Sequence, residues 1–413
     1  IIEVDKFVKK QKKTQKTTQT QFIFLFYIYS NYIEKFNIFI EKQKKTSSTL
    51  KLDFYNEIEN NFKKFNIPIK DHAHYISMFY QLRRAFYFID SLLKGNSSYI
   101  KEVKKEIWNC IFTSNLELFN SQLWNKMEDF SLLITGPTGT GKSLIAKIIG
   151  YSSYIKFNTH TQCFESSFLD MFQSINLTEY SSSLLESELF GHQKGAFTDA
   201  INEKKGIFEN TTSSHSIFLD EIGETPLSTQ IKLLRVLQDR NFYKVGGTTP
   251  IQFKGRIIGA TNATINTLKN PKVFRQDFFF RLSSNIIELP SLKLQLQENP
   301  SEITDFIKHI TTSIIKSPSA QLIKQITTYI TKNLSSYSWP GNVRELEQAI
   351  RRIILTKSYI PYTNNNDSIL NEITAQQYLS KYTKQLYEKY KSYSKVAKIL
   401  DLDNRTVKKY IFE

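Results

Sequence analysis

The spacing of apolar residues changes character along the chain. Residues 21–94 alternate aromatic clusters with lysines, as in YISMFYQLRRAFYFIDSLL at 75–93, and predict irregular helices. From about 99 to 290, short apolar runs alternate with helical patterns, which predicts an α/β unit with a parallel sheet covered by helices. The runs FSLLI at 130–134, SIFL at 216–219 and RIIGA at 256–260 are its strand candidates. Residues 300–357 carry only a helical period, and 370–413 form a last small helical unit. GNSS at 95–98 reads as a boundary and PYTNNNDS at 361–368 as a polar linker. The arm KKQKKTQKTTQT at 9–20 has no apolar period and is expected to be disordered. FIFLFYIY at 22–29 is eight residues long, too short to span a bilayer as a helix, and predicts a buried helix or strand.

Composition adds one constraint. The 413 residues carry a net charge of +16, which points to an anionic partner, nucleic acid above all, although an AT-rich coding bias also enriches lysine. Cys110 and Cys163 lack metal-ligand spacing, so a reducing, cytoplasmic setting is expected rather than a disulfide framework or zinc site. The chain opens on Ile1, from which an incomplete N-terminus is expected.

Chemistry is concentrated at strand ends. GPTGTGKS at 136–143 follows a strand and precedes the helical LIAKIIG at 144–150, the setting a phosphate loop requires. Gly136, Pro137, Thr138, Gly139, Thr140 and Gly141 would wrap backbone N–H groups around the phosphates of ATP. Lys142 would reach the β- and γ-phosphates, and the Ser143 hydroxyl would ligate Mg²⁺. SIFLDEIGE at 216–224 sets Asp220, to hold Mg²⁺ through water, and Glu221, to polarise the attacking water, at the end of an apolar strand. GRIIGATNA at 255–263 ends in Thr261 and Asn262, polar tips suited to sensing the γ-phosphate or positioning water.

In the small C-terminal unit, YSKVAKILDLDNRTVKKYI at 393–411 reads as helix, turn, helix. Val396, Ala397, Ile399 and Leu400 are expected to form one apolar face, with Leu402 and Val407 closing over it. Asn404 is expected to cap a basic second helix in which Arg405, Thr406, Lys408 and Lys409 would meet duplex DNA.

The ordered blocks GPTGTGKS, LLESELFGHQKGAFTDA, FLDEIGE, KLLRVLQ, GATN, FRQDFFFRL and WPGNVRELEQAI run from about 130 to 355. Together they resemble the AAA+ bacterial enhancer-binding proteins that activate sigma-54 RNA polymerase. The resemblance implies an AAA+ P-loop fold at 95–290, a helical lid at 291–360, a Fis-type helix-turn-helix at 370–413 and an N-terminal, mainly helical region at 1–94. It implies a homo-oligomeric ring, usually a hexamer, with no membrane association. Arg275 and Arg281 would act in trans on the neighbour's γ-phosphate, and Arg344 would be the sensor arginine of the lid. Asn176 would restrain the catalytic glutamate until the right nucleotide is bound, although NLTEY departs from the small residues usual after it. Asn342 is expected to cap the helix that carries Arg344.

The same resemblance makes residues 195–200 the loop that contacts sigma-54, through Gly195, Phe197 and Thr198. Asp199 replaces the second glycine of that loop, and Asp401 stands where a turn glycine is usual. LPSLKLQLQENPSEI at 289–303 is longer than the usual bridge to the lid, and SSHSIFLDE lacks the usual glycine before the acidic strand. The reading is an ATP-dependent transcription activator bound to DNA upstream of promoters. Its alternatives are an AAA+ ATPase remodelling a different partner through the altered loop, or a DNA-binding regulator with an inactive motor.

Overall fold

The computed structural model describes residues 18–198, 200–361 and 375–412. Among the described residues of the N-terminal region, α1 (Thr18–Asn31), α2 (Ile33–Gln43), α3 (Tyr55–Lys64) and α4 (His72–Leu92) follow one another. Of the arm expected to be disordered, residues 9–17 lie outside the described residues. Thr18–Thr20 instead open α1, which buries Leu25, Ile28 and Tyr29 while Phe22 and Phe26 stay exposed. Helix α5 (Ser98–Phe112) then leads into the sheet, with the Ser97 hydroxyl accepting from the Ile100 N–H at its start.

The sheet has five parallel strands: β1 (Leu132–Thr135), β2 (Phe172–Asn176), β3 (Ser216–Asp220), β4 (Arg256–Thr261) and β5 (Asn285–Glu288), in the order β5-β1-β4-β3-β2. Between them run α6 (Lys142–Tyr151), α7 (Ser182–Phe190), α8 (Leu227–Asp239) and α9 (Gln276–Leu282). Alternate side chains enter different cores, as a two-residue period requires. Leu132, Ile134, Phe218, Ile258 and Ala260 join a cluster with α6 and the N-terminal helices. Leu133, Ile217, Leu219 and Ile257 join a second cluster with α7, α8 and α9. Both faces are therefore covered, which is why these strands read as continuous apolar runs.

Beyond β5 the chain is helical: α10 (Leu292–Glu298), α11 (Glu302–Ile314), α12 (Ala320–Asn333) and α13 (Asn342–Thr356). The long bridge noted in the sequence holds α10, whose first turn is capped by the Ser291 hydroxyl. Residues 95–98 are fastened to this region. The Glu302 carboxylate accepts from the Asn96 and Ser97 N–H groups, and Glu298 accepts from Ser98 N–H at 2.8 Å. Most of the linker expected at 361–368 lies outside the described residues.

Residues 355–413 form a separate compact unit, in which α14 (Ala375–Tyr390), α15 (Tyr393–Leu400) and α16 (Asn404–Phe412) pack together. Val396, Ala397 and Val407 are buried against Leu386, Tyr387, Leu400 and Leu402. Ile399 does not join that face: it is 46% exposed, because position 399 points away from the packed side of α15. The expected cap is corrected as well. Asp403, not Asn404, receives the Arg405 and Thr406 N–H groups at 2.7 and 2.9 Å and the Thr406 hydroxyl at 2.6 Å. Those bonds hold its carboxyl below its ordinary pKa, the Thr406 hydroxyl first. Asp401 adopts φ 52°, the left-handed conformation that a glycine would otherwise supply. Among the described residues no helix is long and apolar enough to cross a membrane.

Candidate functional site

Parallel strands end on the same edge, so the pairing register decides which side chains meet there. Thr135 pairs with Thr261 and Glu288, and Asn176 pairs with Asp220. The phosphate loop after β1, the acids after β3 and the polar tip of β4 thus share one edge, the crevice where open α/β sheets bind ligands.

Gly136, Gly139 and Gly141 have φ of 147°, 80° and 99°, and these left-handed or extended-positive angles turn the loop toward the start of α6. Lys142 is buried and donates to the carbonyls of Gly136 at 2.9 Å and Pro137 at 3.3 Å. Burial lowers its pKa, while Glu221 and Asp220 nearby act in the opposite sense. Thr140 donates its hydroxyl to the Pro137 carbonyl at 2.9 Å. The Ser143 hydroxyl donates to Asp220 Oδ2 at 3.4 Å, so both expected Mg²⁺ donors face one point. A hydroxyl with a carboxylate is an all-oxygen set that suits Mg²⁺.

Glu221 adopts φ 55°, and its Oε2 accepts from the Asn262 N–H at 3.4 Å. Thr261 is fully buried and receives the Ala263 N–H at 3.0 Å. Gly223 lies directly over it: a Cβ there would stand 2.4 Å from Thr261 Oγ1. This glycine escaped the sequence reading, and its signal was its place in the turn after the acid pair. Asn176 sits beside Asp220 on the neighbouring strand, but its side-chain oxygen accepts from the Thr178 N–H and hydroxyl at 3.1 and 2.9 Å. Arg275 precedes α9 and pairs with Asp277 at 2.8 Å, and Arg281, exposed on that helix, donates to the Leu237 carbonyl at 3.1 Å. Neither partner belongs to the phosphate loop.

The lid touches that loop directly. Arg344 N–H donates to the Gly139 carbonyl at 3.4 Å, and a Cβ on Gly139 would lie 2.3 Å from the Gly341 carbonyl oxygen. Gly139 is therefore required twice, for its φ and for this approach. Asn342 does not cap α13 as expected. Its amide donates to the Thr138 carbonyl at 2.9 Å and its oxygen accepts from the Leu292 N–H at 2.8 Å, with the residue 2% exposed and at φ 53°. Glu345 takes over at the helix start, accepting from the Gly341 N–H at 2.7 Å and the Tyr337 hydroxyl at 2.6 Å. Asn342 thus joins phosphate loop, bridge and lid.

A separate hairpin carries the loop at 195–200. Gly191–His192 pairs with Lys204–Lys205, and Val245 braces it from a neighbouring loop, accepting from Gln193 N–H at 3.1 Å and donating to the Gly191 carbonyl at 2.9 Å. The tip closes through Gly195 N–H to the Ala200 carbonyl at 2.8 Å, with Gly195 at φ 81°. Phe197 is 40% exposed and rests edge-on against the His192 ring at 4.9 Å, and Thr198 is exposed. His192 is buried with both nitrogens engaged, by the Ser187 hydroxyl at 2.7 Å and the Asn202 carbonyl at 3.0 Å. Since a carbonyl only accepts, Nε2 carries the proton. Asp199 lies outside the described residues.

In the C-terminal unit, Asn404, Arg405, Lys408 and Lys409 are exposed along α16, while Thr406 is held by Asp403. Lys408 Nζ lies 5.3 Å above the Tyr393 ring.

An Asn342→Ala chain should stay folded yet bind ATP more weakly, by up to about thirtyfold, because its lid loses two hydrogen bonds worth about 1 kcal/mol each. Titration calorimetry of the variant against the parent checks this, and equal affinities would remove Asn342 from the site.

Residues 115–288 match the sigma-54 interaction domain, and residues 297–363 match the AAA+ ATPase lid domain. The DNA-binding transcriptional activator HyfR of Escherichia coli is 39% identical over 261 residues, 60% of this chain and 36% of that protein. The DNA-binding transcriptional regulator NtrC of Azospirillum brasilense is 39% identical over 225 residues, 54% of this chain and 43% of that protein. The chain therefore spans less than half the length of these two relatives. Among solved structures, NtrX from Brucella abortus in complex with ATP overlaps 86% of this chain and 80% of that one, at 21% identity and a TM-score of 0.48. On one sheet and the helices that follow it, the chain therefore carries a sigma-54 interaction domain succeeded by an AAA+ ATPase lid domain.

Proposed function

We propose that the chain is an ATP hydrolase that remodels sigma-54 RNA polymerase at promoters while bound to double-stranded DNA upstream of them, in the cytoplasm. The observation that carries this reading is the gathering of Lys142, Ser143, Asp220 and Glu221 at one sheet edge, in a fold that also projects Phe197 and Thr198 on a braced hairpin.

Each residue's role follows from its place. The N–H groups at the start of α6 and the loop 136–141 cradle phosphate oxygens, and Lys142 leaves the carbonyls of Gly136 and Pro137 to meet a stronger anionic acceptor. Ser143 and Asp220 would hold Mg²⁺, which supplies charge neutralisation between the phosphates. Glu221, fixed beside the Asn262 backbone, orients and polarises the attacking water. Thr261 and Asn262 report the γ-phosphate to β4, and Arg344 reports it to the lid. Asn176, beside Asp220, would restrain Glu221 until the right nucleotide is bound, giving up its Thr178 bonds to do so. Arg275 and Arg281, with no partner in the phosphate loop of their own subunit, serve the neighbouring site of a hexameric ring. The α/β subdomain at 95–290 and lid at 291–360 then work as the motor, and 370–413 as its DNA anchor.

The loop is the output. Phe197 supplies apolar area and Thr198 a hydroxyl to sigma-54. An aspartate forced into an apolar contact would cost several kcal/mol unless paired, so a partner that takes up Phe197 and Thr198 would have to leave position 199 to water or offer it a basic residue.

ATP turnover should need Mg²⁺ and should rise faster than linearly with protein concentration, because the arginines act in trans. A Glu221→Gln chain should bind ATP and hardly hydrolyse it in a phosphate-release assay, and turnover equal to the parent would refute the role of Glu221.

Deleting residues 393–413 should weaken binding to duplex DNA while sparing most ATPase activity. Lys408→Ala should reduce the salt slope of DNA binding by about one unit if it meets a phosphate. Unchanged DNA affinity after the deletion would place the binding surface elsewhere.

A further inference from the structure

Helix α6 begins at the phosphate loop, and its other end is held by the N-terminal helices. Arg84 of α4 is fully buried, and its guanidinium donates to the carbonyls of Tyr151, the last residue of α6, at 2.5 Å and of Ser153 at 2.7 Å. Tyr80, one turn earlier, lies against it with the guanidinium 4.3 Å from the ring centre. The Gln81 amide, 2% exposed, donates to the Ser152 carbonyl at 3.0 Å. Three successive carbonyls at the end of α6 are thereby occupied from α4. Burial pulls the Arg84 pKa down to about 10, still far above neutrality, so the group is a cation.

A buried cation without a carboxylate partner is rare, because desolvation costs several kcal/mol unless strong acceptors replace water. Among the described residues Arg84 has no ion pair with an acid, and its compensation comes from the carbonyl end of a helix and from Tyr80. That end carries the negative pole of the helix dipole, while the opposite pole faces the phosphate loop. Helix α6 has 10 residues and is about 15 Å long, so the two poles are close enough to act on one rigid body. A cation at the carbonyl end and a phosphate at the N–H end load the same dipole in the same sense.

The attachment extends on both sides. Ser77 accepts from Phe157 N–H at 2.9 Å, His74 meets the Tyr154 hydroxyl at 3.0 Å, and Leu52 N–H donates to the Gln162 carbonyl at 2.9 Å. Apolar residues of α1 to α4 share one cluster with Ile145, Ile148 and Ile149 of α6.

We propose that residues 18–92 are a brace for the nucleotide site, and that Arg84 is a positioning residue that fixes the phosphate-loop helix for ATP from its far end. The inference rests on the ATPase reading for its ligand, though not for the brace itself. Without Arg84 the helix must be reset when nucleotide binds, and that cost falls on affinity while the reacting groups stay intact. In the full chain, Arg84→Met should weaken ATP binding roughly tenfold, a share of what a charged hydrogen bond contributes, and leave kcat within about twofold. Arg84→Lys, which keeps a cation at the carbonyls, should recover most of the affinity. Phe62→Leu alters the same N-terminal core without touching α6 and should leave ATP affinity unchanged.

The measurements are ATP titration calorimetry and, without nucleotide, amide hydrogen exchange across residues 142–151, which should quicken in Arg84→Met. Unchanged affinity and exchange in a folded Arg84→Met chain would overturn the proposal, as would an equal loss of affinity in Phe62→Leu. If Arg84→Met does not fold, Gln81→Leu takes its place with an expected loss of about threefold, and no change there would count against the brace equally. A parent chain that binds no ATP would sink the ATPase reading, and the exchange measurement alone would then decide the brace.

Discussion

Everything at the candidate site depends on burying both faces of one parallel sheet. Leu132 and Ile134 face one core and Leu133 the other, so a slip of one residue would turn each strand inside out. The register this enforces sets Thr135 beside Thr261 and Asn176 beside Asp220. No site residue supplies that order. It comes from aliphatic and aromatic side chains that never meet a ligand, and the polar tips inherit their positions from them.

From that edge the site is closed by contacts between segments far apart in sequence. Asn342 spans the Thr138 carbonyl and the Leu292 N–H, so the lid cannot move without disturbing the loop that would hold phosphate. Glu221, at φ 55°, is strained in a way that glycine would relieve, and its carboxylate is steadied by the Asn262 N–H. Helix α6 is gripped at its far end by Arg84 and Gln81. A γ-phosphate would therefore meet β3, β4, α6 and the lid at once, which is what a motor needs if hydrolysis is to move something else.

The phosphate loop, the acid pair and the alternation of apolar strands with helices were legible because their signals are local. Glycines at 136, 139 and 141 fix backbone angles, and an apolar run ending in Asp220 and Glu221 fixes an edge. Misreadings arose where a partner lies elsewhere in the chain or where two neighbours compete for one task. Asn342 looks like a cap when only its helix is considered, yet its partners are Thr138 and Leu292. Asn404 loses the cap to Asp403, one residue earlier, because both side chains suit the task and only the geometry of the turn chooses. The N-terminal aromatics announced burial without saying against what. The one legible hint was Arg84 itself, a charge set four residues from both Tyr80 and Phe88 on a helix of apolar period.

If ATP hydrolysis at this site drives the hairpin at 195–200 against sigma-54, promoter opening must depend on both. The measurement that bears on it most directly is open-complex formation by sigma-54 RNA polymerase on a promoter, followed by permanganate footprinting, with ATP and either the parent chain or Thr198→Ala. Opening is expected with the parent and ATP, none without ATP, and none with Thr198→Ala even though that chain still hydrolyses ATP. Opening by Thr198→Ala at the parental level, or ATP hydrolysis by the parent with no opening at all, would contradict that coupling.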